Sequence, residues 1–130
     1  MRYLLDVNAL IAFGFRWHGF HAQVAPWINS RRSDTFLTCS ITEIGFVRIL
    51  GNVRTYGMGV PRARDLLLGL KKSSLLPLEF IADGNDVSLL PSWSKTPAQS
   101  TDGHLVQLAK SNGAVLATLD KGIPGAFLIP

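Results

Sequence analysis

The stretch Arg2-Tyr3-Leu4-Leu5-Asp6-Val7-Asn8-Ala9-Leu10-Ile11 decides the fold. Its first half is a short apolar run with no in/out alternation, the pattern of a strand buried on both faces. The run ends in a carboxylate, and helical spacing takes over from Val7 to about Phe15. The same strand-then-helix unit returns downstream. Thr35 to Cys39 reads as a second strand, rich in β-formers. Ser40 then reads as an N-cap with Glu43 at the N3 position of a capping box, and that helix stops at Gly51-Asn52.

Working outward, Phe20 to Ser30 has helical spacing at Phe20, Val24, Trp27 and Ile28, although Pro26 is awkward inside a helix. Pro61 suits a first helical turn, and Ala63, Leu66, Leu67 and Leu70 give that helix an apolar face. Leu76 to Ile81 reads as a third strand. Asp86 to Leu90 reads as a short helix and Ser92 to Gln99 as a polar loop. Ser100 or Thr101 caps the next helix, which Gly113 ends. Ala114 to Thr118 is a fourth strand and Ala126 to Ile129 a fifth. Strands alternate with helices throughout. The expected fold is therefore α/β, a three-layer α/β/α arrangement around a short parallel sheet of four to five strands, in one domain over residues 1–130.

Composition agrees. The chain has 130 residues, 47% hydrophobic and 17% charged, which excludes a disordered chain. No apolar run approaches the roughly 20 residues of a membrane span. Asp6 interrupts the N-terminal apolar run before it can resemble a signal peptide. The lone Cys39 excludes an internal disulfide and a Cys-based zinc cage, and fits a cytoplasmic location. The net charge of +4 is uneven. Arg48, Arg54, Arg62, Arg64, Lys71 and Lys72 oppose a single Asp65, so this segment carries +5 and the rest of the chain −1. A focused basic stretch suits a polyanion such as nucleic acid, or simply a solvated helix face.

The acids fall in a pattern. Asp6 ends strand one, Asp120 lies just past strand four, and Glu43 is one turn into the helix after strand two. Asp102 is placed in the first turn of the helix before strand four. In parallel α/β sheets, sites form outside the carboxyl ends of the strands. Clustered carboxylates raise one another's pKa, and a cation relieves them. All-oxygen donors suit Mg²⁺ or Mn²⁺, which can activate water against a phosphodiester. Each acid also has a structural reading. Asp6 can cap a turn, Glu43 can serve its capping box, Asp102 can favour a helix dipole, and Asp120 can be an ordinary turn residue.

Four segments carry a resemblance. Leu4-Leu5-Asp6-Val7-Asn8-Ala9-Leu10-Ile11 resembles the opening motif of PIN domains. Ile41 to Leu50 resembles the helix that carries their Glu. Ser100 to Ala109 and Leu116 to Ile123 resemble their third and fourth motifs. The segments occur in order across nearly the whole chain, and the compact form is similar to VapC toxins of type II toxin–antitoxin modules. The resemblance implies an endoribonuclease that uses Mg²⁺ or Mn²⁺, forms a homodimer and is restrained by a VapB-type antitoxin. It implies Asp6, Glu43, Asp102 and Asp120 as catalytic, metal-holding acids, with Asn8 and Thr118 as polar supports beside them. Gly103-His104 departs from the expected small residue and aromatic, and Gly103 is expected to weaken a first helical turn.

Arg48 and His104 are the candidates for contact with RNA. Arg48 falls about 140° around its helix from Glu43. Trp17, His18 and His21 suit either a base-stacking rim or ordinary packing, and Trp93 suits either stacking or a core anchor. Two other functions compete. A phosphatase-like or receiver-like hydrolase shares the layout, but a receiver wants paired acids where Asn8 stands. A non-catalytic RNA-binding or regulatory module could keep the fold, yet it has no reason to keep four acids together.

Overall fold

A computed structural model describes residues 1–73 and 76–130. Five strands form one parallel sheet in the order β3-β2-β1-β4-β5. They are β1 (Arg2–Leu5), β2 (Thr35–Thr38), β3 (Leu78–Phe80), β4 (Val115–Thr118) and β5 (Phe127–Leu128). Six helices join them: α1 (Val7–Gly14), α2 (His21–Asn29), α3 (Ser40–Leu50), α4 (Val53–Tyr56), α5 (Val60–Lys71) and α6 (Pro97–Ser111). A 3₁₀ turn at Val87–Leu89 lies before α6. No helix among the described residues is long and apolar enough to cross a membrane.

The strands are continuous apolar runs because both faces are covered. Successive residues point to opposite faces. Leu5 and Phe36 enter a large cluster with Leu10, Ile28, Phe46 and Leu67, from helices α1, α2, α3 and α5. Leu4, Leu37 and Leu116 enter a smaller one with Leu105, Leu108 and Ala109 of α6. One layer is thus built from several helices and the other chiefly from one. Tyr3, Trp27, Phe36 and Phe127 pack ring against ring within the larger cluster, at centroid distances of 5.1 to 5.6 Å.

The strand order places the site. The chain fills one side of β1 with β2 and β3, then returns to the other side with β4 and β5. The order in which strands are added therefore reverses at the β1–β4 pair, where Leu5 lies opposite Ala117. In parallel α/β sheets, sites form at such a switch point, beyond the carboxyl ends of the strands.

Two helix starts differ from the sequence reading. Cys39, not Ser40, caps α3, and Thr42 returns the capping bond, its Oγ1 accepting from the Cys39 N–H at 3.0 Å. The box is thus one residue earlier, and Glu43 has no capping role in it. Helix α6 starts at Pro97, capped by Thr96, whose side chain accepts from the Gln99 N–H at 3.3 Å. Ser100 and Thr101 are therefore already helical, and Asp102 lies in the second turn rather than the first. The Thr96-Pro97 pair carried the signal, since proline favours the first helical position. Gly103 is not a weak point of a first turn either. It is buried, and an added Cβ would strike Ser94 Oγ and approach Pro91 at 3.0 Å. The absent side chain lets the Pro91–Ser94 loop lie against α6 one residue from Asp102.

Candidate active site

Asp6 follows the central strand and turns the chain into α1. Its Oδ1 accepts the Val7 N–H at 2.8 Å, which caps the helix. Its Oδ2 accepts from Thr118 Oγ1 at 2.8 Å, across from the end of β4. Thr118 Oγ1 in turn accepts the Asp120 N–H at 3.0 Å. One buried hydroxyl therefore ties Asp6 to the loop that carries Asp120. Asp6 itself is only 6% exposed, whereas Asp120 is exposed and Asp102 half-buried.

The electrostatics join these three acids. Burial raises the Asp6 pKa above the ordinary carboxylate range. The hydrogen bonds from Thr118 and Val7 oppose that rise, and the charges of Asp120 and Asp102 reinforce it. The Asp102 pKa is raised too, by burial and then by Asp120. Glu43 is not among the charges that act on either. Asp120 makes ionisation of both Asp6 and Asp102 costlier, and Asp102 adds to the cost at Asp6, so the group is short of positive charge.

Glu43 lies on the other side of β1, where helix α3 leaves β2. Its Oε2 accepts from Thr38 Oγ1 at 2.5 Å and pairs with Lys71 Nζ at 2.8 Å. Gly45 allows α3 to come this close to α1, since a Cβ there would meet Val7 Cγ2 at 2.7 Å. The sequence reading missed both Thr38 and Lys71. The signal for Thr38 was present: β2 and β4 both end in threonine, at Thr38 and Thr118, and each hydroxyl grips a carboxylate.

The remaining candidates are more scattered. Asn8 is exposed in the first turn of α1. Arg48 is exposed beside a groove of about 420 Å³ that Ile41, Ile44 and Thr101 also line. His104 turns to Asp83, with Nε2 and Oδ2 2.5 Å apart. Burial works to raise the Asp83 pKa, but the bonds from His104 and the Asn85 N–H outweigh it and lower the pKa. Asp83 thus holds His104, which makes the pair a tether between α6 and the loop after β3. His21 Nδ1 bonds the Ala12 carbonyl at 2.7 Å, and His18 Nδ1 accepts the Phe20 N–H at 3.0 Å. Trp17 is 77% exposed beneath the Arg16 guanidinium. Trp93 lines a separate pocket with Val106, Gln107 and Lys110.

Hard oxygen donors make this edge fit Mg²⁺ or Mn²⁺. Among the described residues no three His, Cys, Asp or Glu side chains stand close enough together to hold a metal ion between them. Ions of this kind commonly bind through one or two carboxylates and keep several waters, so an open site suits them. The repulsion among these aspartates is one that a bound cation would relieve.

A parallel α/β sheet with acids at its carboxyl edge is the layout of several hydrolase classes, and the PIN domain model matches residues 3–126. The chain belongs to the PIN domain family. Among its relatives are ribonucleases of the VapC group. It is 35% identical to Ribonuclease VapC38 of Mycobacterium tuberculosis, over 92% of this chain and 86% of that one. It is 36% identical to Ribonuclease VapC29 of the same species, over 95% and 89%. The fold matches VapBC2 of Rickettsia felis, solved with a DNA fragment from its promoter, with a TM-score of 0.67, 15% identity and coverage of 98% and 97%. It also matches VapC20 of M. tuberculosis, a toxin that cleaves the sarcin–ricin loop, with a TM-score of 0.62, 11% identity and coverage of 92% and 89%.

Proposed function

We propose that this chain is the toxin of a type II toxin–antitoxin pair, an endoribonuclease that needs Mg²⁺ or Mn²⁺. The observation that carries the reading is the buried Asp6 carboxylate at the carboxyl end of the β1–β4 pair, its proton affinity raised further by Asp120 and Asp102. The VapC ribonuclease relatives and the PIN family give the reaction its class.

Asp6, Asp102 and Asp120 would hold the ion, directly or through water, and Glu43 would help to orient the attacking water. A bound divalent ion supplies charge for the phosphodiester and lowers the pKa of a water. The chain's own residues do the positioning. Thr118 fixes one Asp6 oxygen and the start of the Asp120 loop through a single hydroxyl. The α1 N-terminus fixes the other Asp6 oxygen. Each carboxylate oxygen keeps a second lone pair for the site. With water as the nucleophile, attack in line on phosphorus leaves a 5′-phosphate and a 3′-hydroxyl.

The exposed cations Arg48, Arg54, Arg62, Arg64 and Lys72 supply a sequence-independent attraction for the RNA backbone. A VapB-type antitoxin and a second copy of the chain are the proposed partners. Support for an interface comes from the exposed apolar side chains Ile44, Val53, Val60 and Leu68 along α3 to α5.

Purified protein free of antitoxin, incubated with total RNA and Mg²⁺ or Mn²⁺, tests the reading. Discrete cuts are expected, absent with EDTA and in Asp6→Asn, with 5′-phosphate ends. A 2′,3′-cyclic phosphate would exclude water as the nucleophile. No cleavage together with no metal binding would favour a non-catalytic RNA-binding module.

A further inference from the structure

On the β2–β3 side of the site, two donors converge on one oxygen. Glu43 Oε2 takes the Thr38 hydroxyl at 2.5 Å and the Lys71 ammonium at 2.8 Å. Lys71 is fixed a second time, with Nζ 5.1 Å from the ring centroid of Phe80 at the end of β3. The Lys71 and Glu43 side chains are only 23% and 19% exposed. A lysine at the end of a helix commonly reaches into water. Lys71, the last residue of α5, instead lies over the carboxyl edge of the sheet. Among the described residues, none of the ion pairs involves Asp6, Asp102 or Asp120. The two sides of the edge therefore differ: among the described residues Glu43 is ion-paired and the three aspartates are not.

We propose that Lys71 occupies the position a second divalent ion would otherwise take, so that the chain loads a single divalent ion at the aspartates and Glu43 is not one of its ligands. The proposal rests on the metal-dependent reading above and sharpens it. Two-ion phosphodiester sites place a cation at each of two positions about 3.5–4 Å apart. Here the position beside Glu43 already holds a positive charge supplied by the chain. A divalent ion bound to Glu43 Oε2 would sit against the ammonium, and the two cations would repel at short range. An ammonium has three donors, and one on Glu43 leaves others for a phosphate oxygen. Lys71 would thus contribute charge and positioning.

Counting bound ions tests this without relying on activity. The full chain, freed of antitoxin, is titrated with Mn²⁺, and bound ions are counted from the electron paramagnetic resonance of the free ion. One Mn²⁺ per chain is expected for the protein as it stands and for Lys71→Arg, which keeps the charge. Lys71→Met keeps the packing against Phe80, because a thioether also contacts aromatic rings well. Two Mn²⁺ per chain are expected for Lys71→Met, the second weaker, returning to one in Lys71→Met with Glu43→Gln. Two ions in the unaltered protein would overturn the proposal. So would a single ion in a Lys71→Met variant whose thermal unfolding shows it to be folded. No bound ion at all, or an ion that survives Asp6→Asn, would overturn the metal reading itself, a failure that is separately recognisable.

Discussion

Two threonine–carboxylate pairs sit on the same sheet edge and have opposite charge balances. At the end of β4, Thr118 holds Asp6 at 2.8 Å, and the nearby charges are two more aspartates. At the end of β2, Thr38 holds Glu43 at 2.5 Å, and the nearby charge is the Lys71 ammonium. The local device is the same, a strand-end hydroxyl donating to a carboxylate. The difference in neighbours leaves the first pair short of positive charge and makes the second a satisfied ion pair. Position at the carboxyl edge alone does not make an acid a ligand; its remaining partners decide that.

The largest effect that would sharpen this comparison is on cleavage. Asp6→Asn is expected to lower the initial rate by about 10³-fold, the scale for losing a principal electrostatic group. Glu43→Gln should cost less, about 10- to 100-fold, the scale of outer positioning residues. Equal losses would break the distinction. Next come the hydroxyls. Thr118→Val removes the donor to Asp6 and leaves the Asp120 N–H without its acceptor. It should cost about 1–3 kcal/mol in denaturant unfolding and lower the rate about 10- to 100-fold. Thr38→Val leaves Glu43 its lysine, and should cost about 1 kcal/mol.

A subtler effect lies in the pH dependence of the metal-free protein. The pKa values of Asp6 and Asp102 are raised in the folded state, so folding favours their protonated forms. This contribution to stability is complete below the unfolded-state carboxylate pKa. It is lost as pH rises through the raised folded-state values. Asp6→Asn should therefore raise the melting temperature at neutral pH, with a gain that shrinks under acid conditions. Added Mn²⁺ should stabilise the unaltered protein and not the variant. The smallest effect is on the opposite sign of pair. The Asp83 pKa is lowered in the folded state, so its contribution is present above the unfolded-state pKa and fades as pH falls through the folded-state value. His104→Ala should weaken that fading on the acid limb of the melting curve, the Asn85 N–H bond to Asp83 remaining, while leaving cleavage near its original rate.

Much of the fold was legible because the strands are uninterrupted apolar runs and the helices carry strong stops. Asp6, Glu43 and Asp120 could be assigned to one edge because each follows a strand of a parallel sheet. The errors arose where two caps compete within a few residues. At Cys39-Ser40 the obvious hydroxyl lost to the residue before it, with Thr42 rather than Glu43 returning the bond. At Thr96-Pro97 a polar stretch concealed the first turn of α6. Lys71 was beyond reach for a different reason. Its contact with Glu43 joins α5 to α3 across the sheet edge, and in sequence it was one cation of a basic run. The role of Gly103 was hidden likewise, since only the packing of the Pro91–Ser94 loop shows why a side chain is excluded there.

The central claim is that the three aspartates form one divalent site on which RNA cleavage depends. The most direct test measures Mn²⁺ occupancy and RNA cleavage rate on the same preparation, for the unaltered chain and for Asp6→Asn. The account predicts that rate rises in step with occupancy in the unaltered chain, and that both are lost together in the variant. Cleavage without a bound divalent ion, or at the original rate in Asp6→Asn, would contradict it.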